Sequence, residues 1–177
     1  DHHHRNPHLM LILQANVGIC RQNGPGTATL TSRRSASVSA GTLIFEAELT
    51  AEGNAGRPDL HGVGLVAGTD RNDAIEFLTA GTGLSRTQMA CRTVSGGVAT
   101  QTVVEVTPEA LGYDHHYRIV ASSNSANFYV DGILVANHTT NIPTSALNVF
   151  FGISATGTPY AAFIPSYATF EFVPSSP

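Results

Sequence analysis

The sequence predicts an all-β fold, a sandwich or a barrel of antiparallel strands, on three observations. Gly, Ser and Thr are abundant and β-branched residues dominate the apolar runs, a composition of strands and turns. Short stretches of apolar alternation recur about every ten residues, with turn chemistry between them. The stretch "FYVDGILVANHTTNIP" from Phe128 to Pro143 sets Asp-Gly between two apolar runs, the signal of a two-residue hairpin whose central positions need positive φ.

The elements follow in order along the 177 residues. "DHHHRNPH" at 1–8 reads as an N-terminal arm or the remnant of a purification tag, and residues 9–177 as one domain. "LMLILQANVGI" at Leu9 to Ile19 is the longest apolar run; Gln14 and Asn16 interrupt it, and it reads as a strand. "TATLTS" follows the turn "NGPG". In "TLIFEAELT", Leu43, Phe45, Ala47 and Leu49 point one way and Glu46 and Glu48 the other, as in a strand half buried and half wet. Then come "HGVGLVAG", "AIEFLTAG", "LSRTQMACRTV", "VATQTVVEV", "HYRIVAS", the hairpin, "LNVFFGIS" and "YATFEFV". The single helical suggestion is one turn at "TPEAL". The expected core includes Phe45, Leu65, Ile119, Phe128, Val130, Phe151 and Phe170.

Composition limits the function. With 42% hydrophobic and 12% charged residues the chain can bury a core. Its nine basic residues are all scattered Arg, which gives no footprint for nucleic acid. No run approaches the roughly 20 apolar residues of a membrane-spanning helix. Cys20 and Cys91 allow one disulfide, with two buried free thiols as the alternative.

"YRIVASSNSANFYVDGILVANHTTNIP" followed by "NVFFGIS" resembles the second half of laminin G-like and laminarinase-type domains of the concanavalin A-like superfamily, and the likeness runs from about Gly26 to Val173. It implies a jelly roll of two antiparallel sheets, one of them concave. It also implies a choice between enzyme and binder. Laminarinase-type members carry Glu-x-Asp-x-x-Glu or Glu-x-Asp-x-Glu on one strand, with nucleophile and acid/base about 5 Å apart on one face. The matching strand here, "DAIEFLTAG", offers Asp73 and Glu76, whose odd spacing sends them to opposite faces. The expectation is therefore no catalysis: an extracellular or surface-exposed recognition or adhesion module for a glycan or a protein partner. The alternatives are a structural subunit of a surface filament, sheath or virion appendage, self-associating through strand 9–19, and a laminarinase-type glycoside hydrolase.

Candidate ligand residues are Tyr113, His115, Tyr117 and Tyr160, rings suited to a sugar's C–H face, with Asn137 and Asn141 as amides for its hydroxyls. Asn137-His138-Thr139 is also a glycosylation sequon. Many laminin G-like domains hold Ca²⁺ at a rim, and "GTDRND" supplies Asp70, Asn72 and Asp73 as oxygen ligands in one loop. The same residues are preferred turn formers, so the plain turn reading stands beside the calcium one.

Overall fold

The computed structural model describes residues 9–13, 20–22, 26–53, 60–79, 83–155 and 161–175. These form thirteen strands and, among the described residues, no helix: β1 (Leu9–Leu13), β2 (Cys20–Gln22), β3 (Gly26–Ala36), β4 (Gly41–Glu52), β5 (Leu60–Val66), β6 (Ala74–Thr79), β7 (Gln88–Ser95), β8 (Val98–Glu105), β9 (Asp114–Ala121), β10 (Ala126–Val130), β11 (Ile133–His138), β12 (Leu147–Ala155) and β13 (Ala161–Pro174). All the strand pairings are antiparallel. One sheet has the order β1-β13-β4-β9-β10-β11, with β2 also on β13; the other has the order β3-β12-β5-β6-β7-β8. This is the two-sheet jelly-roll sandwich expected from the sequence.

The period of two decides what lies between the sheets. On β4 the burial alternates without a break from Gly41 to Glu52, sending Leu43, Phe45, Ala47 and Leu49 inward. Phe77 from the six-stranded sheet meets Phe128 and Tyr117 from the other edge-on, with centroids 5.3 and 5.2 Å apart. All seven residues expected in the core are buried. The Asp131-Gly132 turn has φ of 51° and 81°, as a two-residue hairpin turn with both central positions in the left-handed region requires.

One reading needs correction. "TPEAL" makes no helical turn; it is an irregular connection with a cis Thr107-Pro108 bond. Of the apolar run at 9–19, read as a strand, Leu9–Leu13 pairs with β13 at the edge of its own sheet. Residues 14–19, and the arm at 1–8, lie outside the described residues. Cys91 is a free, buried thiol facing the core.

Candidate functional site

The outer face of the six-stranded sheet carries the densest chemistry. On β6, Ile75 and Phe77 enter the core, so Glu76 between them points outward. The strand register sets it in a row across the sheet: Thr31, Phe150, Gly64, Glu76, Arg92 and Gln101 stand opposite one another in turn. Despite its outward direction Glu76 has no exposed surface.

The cover is Arg71. It sits in the β5–β6 loop with φ of 61°, a left-handed conformation that few non-glycine residues adopt and that costs on the order of 1 kcal/mol. From there its side chain folds back over the sheet. Its Nε lies 3.3 Å from Glu76 Oε1, its Nη2 donates to the Gly152 carbonyl at 3.3 Å, and its guanidinium stands 5.1 Å from the Phe150 ring centroid. Arg92 approaches from the other side, its Nη1 3.6 Å from Glu76 Oε2. The side chains of Arg71 and Arg92 are 11% and 25% exposed, Glu76 0%. These contacts are close enough for ion pairing, but neither Glu76 oxygen accepts a hydrogen bond. Burial pushes the Glu76 carboxyl above its ordinary pKa, and the two guanidinium charges pull the other way without cancelling it.

Glycines make the room. A Cβ on Gly62 would collide with the Arg71 guanidinium, and one on Gly152 with the Phe150 ring. At Gly64, φ is 151° and a Cβ would come within 2.5 Å of the Ile75 carbonyl oxygen, so this row admits no side chain there. Beside Arg71 opens a pocket of about 240 Å³ lined by Thr27, Thr29, Thr69, Asp70, Phe150 and Gly152, with Arg71 as one wall.

The loop that holds Arg71 is tied down by the residues proposed as calcium ligands. Asp70 Oδ1 accepts from the Asn72 amide at 3.0 Å, and Asp73 Oδ1 from the Gly96 amide of the β7–β8 turn at 3.1 Å; the Asn72 carbonyl accepts from Gly97 N. The Asp70 and Asp73 side chains thus serve turns, and no three His, Cys, Asp or Glu residues are grouped to hold a metal among the described residues. The donor set does not fit a calcium ion, which takes six to eight converging oxygens.

The ligand residues expected from the sequence do not gather. Tyr113 is exposed, and Tyr160 lies outside the described residues. His115 and Tyr117 are corrections: β9 starts at Asp114, so alternation drives both into the core. His115 places Nδ1 2.7 Å from Asp131 Oδ2 and Nε2 2.7 Å from the Glu109 carbonyl, leaving neither nitrogen for a ligand. Asn137 donates to Asn127 Oδ1, and Asn141 to Thr100 Oγ1 at 2.9 Å. His138 is buried between the Thr93 and Thr102 hydroxyls at 3.1 and 2.8 Å, and burial lowers its pKa.

Sequence reasoning missed Arg71, Arg92 and Phe150 and set Glu76 aside. The usable signal was Gly62 in "HGVGLVAG", a strand position without a side chain, ahead of the one charged residue of "AIEFLTAG".

No family model matches the chain, and no curated protein does. Solved structures of the same fold do. A prokaryotic β-1,3-1,4-glucanase (lichenase) derived from a mouse hindgut metagenome superposes with a TM-score of 0.68 at 14% identity, over 82% of this chain and 72% of its own. The Bacillus licheniformis β-glucanase gives 0.63 at 17% over 92% and 91%. The carbohydrate-binding module CBM66 from Bacillus subtilis gives 0.57 at 14% over 90% and 94%. These structures share this chain's two-sheet antiparallel jelly-roll fold. The expectation of a chain outside the enzymes is overturned here: glycoside hydrolases and a transglycosylase make up most of the similar structures, so the missing pair of carboxylates on β6 does not set this fold apart from catalysis.

Proposed function

We propose that the chain is a carbohydrate-binding domain whose ligand lies on the outer face of the six-stranded sheet, over the Arg71–Glu76–Arg92 cluster and into the threonine-lined pocket beside it. One observation carries this reading: a buried carboxylate clasped by two guanidinium groups in a hollow cleared by Gly62 and Gly152. Buried ionic groups weigh on stability, and left-handed Arg71 adds to the cost, so the cluster is better understood as serving a ligand than as serving the fold. The pocket offers hydroxyls and guanidinium N–H groups, partners for sugar hydroxyls. The likeness to glucanases and to a carbohydrate-binding module supports the ligand class.

The test is titration calorimetry against β-glucans and other oligosaccharides, with each mixture also scored for hydrolysis and transfer. Thr29 is exposed on the pocket wall, so Thr29→Trp fills the pocket without touching the core. The expected result is saccharide binding that Thr29→Trp weakens by at least about tenfold and Tyr113→Ala leaves unchanged. Binding lost in Tyr113→Ala and kept in Thr29→Trp would move the site elsewhere.

A further inference from the structure

The charges on this face are unevenly arranged. One carboxylate, Glu76, lies between two guanidinium groups, those of Arg71 and Arg92. Glu76 is also the lowest member. It has no exposed surface, whereas Arg92 is a quarter exposed beside exposed Gln101, and Arg71 walls the open pocket. A ligand therefore meets the guanidinium groups and the hydroxyls of Thr27, Thr29 and Thr69, and not the acid. Glu76 acts as a buried counter-ion that holds both Arg side chains in place, which spares a ligand the entropic cost of ordering them. Among the described residues that line the pocket, the acid is Asp70, at the exposed rim, with one oxygen engaged by the Asn72 amide. The whole chain is negative, at −4, so attraction for an anion has to be local.

We propose that this face selects an anionic saccharide, one whose carboxylate or sulfate oxygens are held by Arg71 and Arg92 above Glu76. The inference rests on the glycan reading and narrows it to a substrate class. Guanidinium groups match planar carboxylates and sulfate esters with paired N–H donors, and such charge-assisted bonds are roughly twice as strong as neutral ones. The threonine hydroxyls then take the uncharged part of the same sugar.

The experiment compares three oligosaccharides of one backbone: neutral, uronate-bearing and sulfated. Calorimetry at low and moderate salt is expected to show at least one anionic form bound about tenfold tighter than the neutral parent, with the margin shrinking as salt rises. Arg92→Gln collapses that margin. Arg92→Lys, which keeps the charge and loses the fork, restores part of it, and circular dichroism checks that both variants fold. Asp70→Asn, which removes the opposing charge, widens the margin. Preference for uronate, sulfate or both supports the proposal and names the group. Equal affinity for all three, still blocked by Thr29→Trp, overturns it and leaves the glycan reading standing. No binding by any saccharide overturns both.

Discussion

At the residue scale, Glu76 sets a pH dependence of fixed sign. Its folded-state pKa is raised above 4.5, chiefly by burial. A group with a raised folded pKa contributes stability that is complete below the unfolded value and is lost as pH rises through the folded one. Glu76→Gln cannot titrate, so the stability of wild type relative to this variant is expected to fall as pH is raised above about 4.5, read from urea melts across a pH series. A gap that widens instead would mean that the two guanidinium groups outweigh burial. Arg71→Ala removes one side of the clasp and is expected to cost about 3 kcal/mol near neutral pH, the scale of breaking a nearly buried pair. Cys91 gives a second readout. Burial pushes its thiol up to about 12, so it holds almost no thiolate at neutral pH and should resist a thiol reagent until the protein is unfolded.

At the element scale, the β10–β11 hairpin is held by more than its turn. Asp131 Oδ1 accepts from the His116 amide at 2.9 Å and Oδ2 lies 2.7 Å from His115 Nδ1, so the turn residue ties β9 to the hairpin. Asp131→Ala loses both bonds and puts Ala at positive φ; it is expected to cost about 2–4 kcal/mol in chemical denaturation. Asp131→Asn keeps the turn and should cost less. The hairpin, the alternation on β4 and the seven core residues were all legible in the sequence, because each depends on neighbours along the chain. The site was not. Glu76 gains its meaning only from register, which sets it against Arg92 and Gly64 on neighbouring strands, and from the left-handed turn at Arg71 that no periodicity reports. The ligand residues on β9 failed for a smaller reason: a strand read as starting beside a loop starts at Asp114, which carries His115 and Tyr117 inside.

At the scale of the whole molecule, the topology joins distant segments. β4 is flanked by β9 and β13, and β12 lies between β3 and β5. Such non-local pairing predicts slow folding, on a timescale of about milliseconds to seconds or longer, as a stopped-flow refolding trace would show; completion in tens of microseconds would contradict the strand order. It also spreads the site widely, since Phe150 and Gly152 come from β12 while Glu76 and Arg92 come from β6 and β7. The place of β13 has a consequence for how the protein is made. Phe45 is paired to Phe170 in the finished sheet, and more than a hundred residues of chain separate them. On a ribosome adding about 5–20 residues per second, β4 therefore leaves the exit tunnel many seconds before β13 exists to cover it. Throughout that interval one edge of β4 stays open to other chains, and synthesis halted before Ala161 is expected to yield a chain that pairs with its copies through that edge.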